Sequence, residues 1–210
     1  MGLKLGEDAP NFKASSTEGD LDLYEYLGNS WGIIFSHPGA FTPVCTTELG
    51  EVAKLKAEFD RRDVKILGLT TDKLERINDW VVDINETQGC TISYPIVADA
   101  DYNVSSLYGM IHPKASATFT VRSLYIISPN REIKLKLTYP ASLGRNFTEI
   151  IRALDGLQLS AEHNVSLPAN WQQGEDVIVS PTISTEEAIS LFPKGVHIVK
   201  PYLRYTPQPE

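Results

Sequence analysis

The sequence predicts an α/β fold in which a mixed central sheet is flanked by helices, with a small C-terminal domain or arm added to it. Two observations predict the sheet: strand-like and helical segments alternate through the first half of the chain, and two strand-like runs joined by a turn follow them. A third observation predicts the appendage, because beyond residue 160 the chain is rich in proline and irregular. We therefore expect domains at 1–160 and 161–210.

The composition is that of a globular protein and argues against several kinds of partner. Of the 210 residues, 42% are hydrophobic and 22% are charged, with a formal net charge of −8. This charge argues against nucleic acid or an anionic membrane as a partner. The two cysteines are too few for a disulfide framework, and we find neither the apolar core of a signal peptide nor a run of ~18 apolar residues. We therefore expect a cytoplasmic protein without stable membrane association.

The N-terminal segment predicts a small hairpin that leads into the first core strand. An extended piece lies at 11–14, a turn at 18–20, and alternating apolar residues at 21–27. Trp31–Ser36 is then an apolar run typical of a buried strand.

A strand–helix–strand unit follows. Apolar residues recur at near-helical spacing in the segment after that strand, at Leu49, Val52, Leu55 and Phe59. Val64–Thr70 is the next strand. This order predicts a parallel strand pair with a right-handed crossover, so the turn after the first strand lies at the carboxyl edge of the sheet. Open α/β sheets bind their ligands at that edge.

The alternation continues once and then breaks. The next predicted elements are a helix, a strand and a short helix, at Leu74–Asn85, Tyr94–Val97 and Asn103–Tyr108. Two strand-like runs at Thr118–Ile127 and Glu132–Tyr139 flank good turn residues, which predicts an antiparallel hairpin. A helix at Phe147–Leu157 follows.

The turn after the first core strand carries the strongest chemical signal. Thr42 suits a helix N-cap and Pro43 the first helical position, so Cys45 falls at the third, where a capping box has Glu or Gln. Free backbone N–H groups and the positive end of the helix dipole favour an anion there, and therefore a thiolate. Cys45 is thus a nucleophile candidate. Cys90 lies between a helix and a strand without such features, and we interpret it as structural.

Pro38, Thr42 and Cys45 form the pattern Pro-x-x-x-Thr-x-x-Cys, the active-site signature of peroxiredoxins. The longer string from His37 to Glu48 resembles their one-cysteine class, and this similarity continues almost to the C-terminus. Gly39-Ala40 departs from the charged pair that is more common in that class. The order of elements is likewise similar to the thioredoxin-like fold of this family.

The resemblance implies a thiol-specific peroxidase and antioxidant enzyme. Its redox-active Cys45 would attack hydrogen peroxide or a small organic hydroperoxide, and an external small-molecule thiol or thiol protein would reduce the resulting sulfenic acid. It also implies a homodimer with the C-terminal arm near the partner's active site. This chemistry needs no cofactor, and the four histidines and two cysteines lack metal-ligand spacing.

Breaking the O–O bond requires donors that hold the peroxide and stabilise the departing oxygen. The Thr42 hydroxyl and the Cys45 N–H are suitable donors. Arg122 lies on a mostly apolar strand, where an arginine charge is rare unless paired. By resemblance it is the active-site arginine, and Arg145 orients Glu48. A surface position is the alternative for Arg145.

By resemblance, His37 lines the peroxide pocket beside Pro38. A packing role is the alternative for His37. The predicted catalytic residues are Cys45, Thr42 and Arg122, and the predicted supporting residues are Pro38, His37, Glu48 and Arg145.

Two rival functions compete with the peroxidase. Residues 28–32 read Gly-x-Ser-x-Gly, the lipase elbow pattern, but they precede a strand. Some one-cysteine peroxiredoxins use this serine with a histidine and an aspartate, and this chain has Tyr24 and Asn130 at those positions, so we do not expect a lipase. The non-enzyme rival is a thioredoxin-fold chaperone or redox-signalling module in which Cys45 reports oxidation.

Overall fold

The structure is a computed structural model, and it describes residues 2–210. The chain divides into two compact units, the first extending to Phe147 and the second comprising Thr148–Glu210. The predicted boundary after residue 160 lies inside a helix, Phe147–His163, that begins at this division. The extent of the domains given from the sequence stays a prediction.

The first unit is built from the following elements: β1 (Lys13–Ser16), β2 (Gly19–Asp22), α1 (Leu23–Leu27), β3 (Trp31–Ser36), α2 (Pro43–Lys54), α3 (Lys56–Asp60), β4 (Val64–Thr70), α4 (Leu74–Gln88), β5 (Ile96–Ala98), α5 (Asn103–Leu107), β6 (Arg122–Ile127) and β7 (Ile133–Tyr139). Among the described residues its strands form one seven-stranded sheet in the order β2-β1-β5-β4-β3-β6-β7. Strands β3, β4 and β5 run parallel, whereas β6 and β7 are antiparallel to their neighbours. The predicted mixed sheet is therefore confirmed.

Strand β3 lies between β4 and β6, and all six of its residues are buried. Burial on both faces explains why its first five residues form an apolar run with no polar alternation. In the parallel pair, Ser36 is opposite Leu69, so β3 and β4 end at the same edge of the sheet. The turn that leads to Cys45 leaves β3 at this edge, as the sequence predicted.

Three local predictions were wrong. Residues Leu23–Leu27 form helix α1, because the Asp22 carboxylate accepts hydrogen bonds from the N–H groups of Tyr24 and Glu25 and starts a helix there. The helix after Cys45 breaks at Leu55, whose φ and ψ of −88° and 3° are not helical, so α3 is separate. Strand β6 begins at Arg122, with only an isolated bridge at Thr120 before it.

The second unit contains more regular structure than its proline content suggested. Its elements are α6 (Phe147–His163), β8 (Val165–Ser166), β9 (Val177–Val179), α7 (Thr185–Leu191), β10 (His197–Lys200) and β11 (Leu203–Thr206). In the described part of the chain its strands form an antiparallel sheet of four, in the order β10-β11-β9-β8. A separate apolar core holds it together, formed by Val165, Trp171, Val177, Val179, Ile183, Ala188 and Phe192.

Within residues 2–210, no helix combines the length and the apolar character needed to cross a membrane.

Candidate active site

Cys45 lies in the first turn of α2 and is fully buried. The backbone supports this position, because Thr42 has an extended conformation (φ −117°, ψ 143°) and Pro43 begins the helix. The Thr46 N–H donates to the Thr42 carbonyl at 3.0 Å. The N–H of Cys45 precedes this bond and belongs to the group of helix-start donors that have no carbonyl partner within the helix. The sulfur and this N–H therefore share one buried site.

Arg122 supplies a fixed cation to the sulfur. Its Nη1 donates to Cys45 Sγ at 3.3 Å and to Glu48 Oε2 at 2.7 Å. Its Nε and Nη2 both donate to the Ala141 carbonyl, at 3.1 and 2.6 Å. Antiparallel pairing of β6 with β3 places Arg122 at the sheet edge where Ser36 ends β3. Four hydrogen bonds thus hold one guanidinium beside the thiol.

Glu48 lies one helical turn after Cys45 and is bound by two arginines. Arg145 donates to its carboxylate from the backbone N at 2.7 Å, from Nε at 2.8 Å and from Nη2 at 2.7 Å, in addition to the bond from Arg122. Burial raises the pKa of Glu48, but the hydrogen bonds and charge of Arg145, followed by the charge of Arg122, outweigh burial and lower this pKa overall. Glu48 therefore remains an anion.

Arg145 is a buried residue, and the alternative of a surface position is excluded. Its Nη1 donates to the Ser123 carbonyl at 2.9 Å, and its guanidinium carbon lies 5.0 Å from the centre of the Phe35 ring. With Glu48 and Ser123 satisfying its donors, Arg145 anchors the carboxylate that in turn holds Arg122.

His37 is fully buried and lies directly after β3. Among residues 2–210 neither of its ring nitrogens has a hydrogen-bond partner, and the ring packs against Trp80 with 5.3 Å between centroids. Burial lowers the pKa of His37 to about 3, and the charges of Arg145 and Arg122 contribute to this shift. The imidazole is thus neutral at pH 7. Pro38 follows in the loop and is partly buried.

Thr42 occupies the predicted N-cap position, but its side chain does not cap the helix. The hydroxyl instead donates to the Gly39 carbonyl at 2.8 Å. Thr42 can therefore only accept a further hydrogen bond, through the lone pairs of its hydroxyl oxygen, because its one hydroxyl proton is already donated.

The sequence reasoning missed two residues that contact the Cys45 turn. The Asp72 carboxylate accepts a hydrogen bond from the Ala40 N–H at 2.6 Å, and the Trp80 indole donates to the Thr46 hydroxyl at 3.1 Å. A signal for Trp80 was available in its helical spacing with Ile77 and Ile84, which are the other buried residues of α4. Asp72 offered only its place after a strand that ends at the same edge of the sheet.

The residues at the lipase positions bind other hydrogen-bond partners. The Ser30 hydroxyl donates to Asp63 at 2.6 Å and the Tyr24 hydroxyl donates to the Ala9 carbonyl at 2.7 Å, so these residues are not joined in a hydrolase relay.

Both cysteines are free thiols in the described chain. Burial raises the pKa of Cys90, against a lowering effect of the Lys54 charge. Residues 2–210 contain no group of three or more His, Cys, Asp or Glu side chains arranged to hold a metal ion.

Comparison with known proteins identifies the family. The model of the AhpC/TSA family matches residues 5–136, and that of the C-terminal domain of 1-Cys peroxiredoxin matches residues 156–195. The chain is 52% identical over 207 residues to the 1-Cys peroxiredoxin of Dictyostelium discoideum, covering 99% of this chain and 86% of that protein. It is 47% identical to peroxiredoxin-6 of Rattus norvegicus, covering 99% of both.

A solved structure of the yeast mitochondrial 1-Cys peroxiredoxin has the same fold. It superposes with a TM-score of 0.93 at 43% identity, covering 98% of this chain and 99% of that one. The thioredoxin-like fold predicted from the sequence is therefore confirmed. Both the peroxidase unit and the C-terminal unit have counterparts in the family models. A buried cysteine at a helix start, a matching fold and near full-length relatives together show that this chain belongs to the peroxiredoxin family, in its one-cysteine class, and is a thiol-dependent peroxidase.

Proposed function

We propose that Cys45 is the peroxidatic residue and that it reduces hydrogen peroxide and small organic hydroperoxides. The observation that carries this proposal is the contact of 3.3 Å between Arg122 Nη1 and the buried Cys45 sulfur. The thiolate attacks the terminal peroxide oxygen, the O–O bond breaks, and the departing oxygen takes a proton and leaves as water or an alcohol. Cys45 is left as a sulfenic acid.

The charges around Cys45 support this chemistry. Glu48 contributes one negative charge and Arg122 and Arg145 two positive charges, so the buried group carries a net charge of +1. In a site shielded from water, this charge stabilises both the thiolate and the negative charge that develops on the departing oxygen. Because Glu48 stays ionised and holds both guanidinium groups, it acts by positioning Arg122.

The remaining predicted residues have roles consistent with their contacts. The Cys45 N–H and Arg122 are the donors to the peroxide oxygens, and the Thr42 oxygen accepts the hydrogen bond of the substrate O–H. This role differs from the donor role expected of Thr42, since its hydroxyl donates its proton to the Gly39 carbonyl. His37 and Pro38 line the site and contribute no charge to it.

An external thiol completes the cycle. Two thiols reduce the sulfenic acid to the thiol, releasing water and one disulfide. The sequence has no cysteine after Cys90 to take the place of the external thiol. In the yeast mitochondrial 1-Cys peroxiredoxin, the thiol resolving mechanism uses the glutathione/thioredoxin systems. We propose that a reductant of either kind, a small thiol or a thiol protein, also serves this chain.

We further propose that this peroxidase is a cytoplasmic homodimer that serves antioxidant defence and redox homeostasis. The free state of both cysteines is consistent with a reducing compartment. We base the dimer, in which the C-terminal arm lies near the partner's active site, on the resemblance to one-cysteine peroxiredoxins. Sedimentation at micromolar concentration tests the dimer.

The decisive experiment follows the first turnover by intact mass. One equivalent of peroxide without added thiol should add one oxygen at Cys45, and excess peroxide should carry it to sulfinic and sulfonic acid. Added thiol should then give repeated turnover. A rapid loss of two hydrogens with a Cys45–Cys90 link would contradict the one-cysteine mechanism, and a reaction that stops after one equivalent despite added thiol would identify a sensor.

A further inference from the structure

Both backbone polar groups of Ala40, five residues before Cys45, bind side chains of the segment that follows β4. Asp72 Oδ2 accepts a hydrogen bond from the Ala40 N–H at 2.6 Å, and Arg76 Nη2 donates to the Ala40 carbonyl at 3.2 Å. The two side chains are joined by an ion pair of 3.2 Å, and the Thr70 hydroxyl donates to Asp72 Oδ2 at 2.8 Å. We call Asp72 and Arg76 the loop clamp.

The clamp holds a residue with a strained backbone. Phe41 has a φ of +60°, in the left-handed region that side-chain-bearing residues seldom adopt. The Arg76 guanidinium carbon lies 5.2 Å from the centre of the Phe41 ring, and the Trp80 ring lies 6.4 Å from it on centroids. A left-handed Phe persists only where its surroundings enforce it, and the clamp contacts both the Phe41 ring and the backbone of the preceding residue.

The strained residue is directly connected to the catalytic turn. Phe41 precedes Thr42, whose carbonyl accepts the first hydrogen bond of α2 from the Thr46 N–H at 3.0 Å. The Thr46 hydroxyl also donates to this carbonyl at 2.9 Å and accepts from the Trp80 indole at 3.1 Å. A change of the Phe41 backbone would therefore shift Thr42 and the helix start that carries Cys45.

We propose that Asp72 is a positioning residue for peroxide reduction, with Arg76 as its second contact, and that the loop clamp acts by enforcing the left-handed backbone of Phe41. This inference rests on the proposed function of Cys45. It goes beyond it because both clamp residues lie outside the Cys45, Arg122, Glu48 and Arg145 network. The attack of sulfur on the peroxide needs a well-aligned turn, whereas an external thiol can also reach a sulfenic acid on an opened turn. Loss of the clamp should therefore slow oxidation and spare reduction.

The test compares the two half-reactions in Asp72→Ala, measured by rapid quenching and intact mass. We expect the second-order rate constant for Cys45 oxidation to fall about 10-fold or more, with the rate of sulfenic acid reduction by thiol unchanged or raised. Asp72→Asn keeps an oxygen that accepts from the Ala40 N–H and should recover most of the oxidation rate. Asp79→Ala, a change of an exposed carboxylate on the same helix as Arg76, is the matched control and should react like the wild type.

A glycine background shows whether the clamp acts through the Phe41 backbone. Glycine adopts positive φ without steric cost, so Asp72→Ala should slow oxidation less than about 3-fold when it is combined with Phe41→Gly and compared with Phe41→Gly alone. If Asp72→Ala does not fold, Arg76→Ala replaces it, since 55% of the Arg76 side chain is exposed and its removal leaves the core intact. The expected loss for Arg76→Ala is about 3-fold.

Three results would overturn the inference: an unchanged oxidation rate in Asp72→Ala and in Arg76→Ala, equal losses in the wild-type and Phe41→Gly backgrounds, or equal slowing of both half-reactions. If the wild type itself fails to react with peroxide, the proposed function fails and the inference falls with it. Normal wild-type oxidation beside any of the three results would contradict the inference alone.

Discussion

The two cysteines occupy opposite ends of helices, and this difference favours Cys45 over Cys90 as the reactive thiol. Cys45 lies in the first turn of α2, where backbone N–H groups have no carbonyl partner within the helix, and Cys90 follows Gly89, the left-handed C-cap of α4. The helix dipole is positive at the first position and negative at the second. The same functional group therefore meets a field that favours its anion at one site and opposes it at the other.

Solvent exposure alone would favour Cys90 over Cys45 as the reactive thiol. Cys45 is fully buried and Cys90 is partly exposed. Burial opposes a thiolate, and even the partial burial of Cys90 raises the pKa of its thiol against the opposing charge of Lys54. The environment of Cys45 is buried but strongly polar, with a guanidinium nitrogen 3.3 Å from the sulfur. Fixed charge close to the thiol, and not solvent access, is therefore what favours Cys45 as the nucleophile.

Exchanging each cysteine in turn tests this comparison directly and should give the largest effect. Cys45→Ser should abolish thiol-dependent peroxide consumption, because serine does not form the anion under the same conditions. Cys90→Ser should keep most of the activity, since burial raises the pKa of the Cys90 thiol despite the charge of Lys54. Comparable losses in the two variants in a peroxide-consumption assay would show that the comparison is wrong.

Removing the Arg122 guanidinium tests the same difference between the cysteines, and should lower activity less than removing the Cys45 sulfur does. Arg122→Ala should lower kcat/KM for peroxide by about 10²–10³-fold, because it removes a donor that stabilises charge in the transition state. Arg61→Ala, which removes an exposed arginine that pairs with Glu58 on the surface, is the control and should be neutral. Full recovery of Arg122→Ala at raised pH would show that Arg122 only promotes thiol ionisation.

The burial of His37, together with the charges of Arg145 and Arg122, should also affect the stability of the fold, and this is the smallest of the expected effects. The pKa of His37 is lowered to about 3, whereas an unfolded histidine titrates near about 6.5. Between these values the unfolded chain binds a proton that the folded chain does not, so stability falls as pH decreases below about 6.5.

Urea unfolding at pH 7 and pH 5 measures this contribution. The wild type should lose about 2 kcal/mol more than His37→Gln over this interval. Glu48 acts in the same direction, but only near and below its ordinary pKa of 4.5, and the other histidines are common to both proteins. Equal pH dependence of the two proteins would contradict the buried neutral state of His37.

Local sequence patterns were sufficient for much of the fold. The bounds of β3 and β4 and the start of α2 were predicted correctly because each depends on neighbours in sequence: an apolar run, a turn, and a proline at the first helical position. Where a local contact was overlooked, as with the Asp22 cap of α1, the element was misassigned. The active-site signature likewise lies within one short stretch, from His37 to Glu48.

By itself, then, the sequence determined the α/β class, the position of Cys45 at a helix start, and the family resemblance, because these depend on short stretches of chain. The resemblance implied that Arg145, 97 residues away, orients Glu48. Only the tertiary structure decided that Glu48 also binds Arg122, 74 residues away, that the Thr42 hydroxyl donates to Gly39, and that Asp72 binds Ala40. The physical reason is that such contacts depend on strand order. Parallel pairing of β3 with β4 and antiparallel pairing with β6 bring distant segments to one edge of the sheet, and a hydrogen bond forms only where the folded backbone places donor and acceptor together.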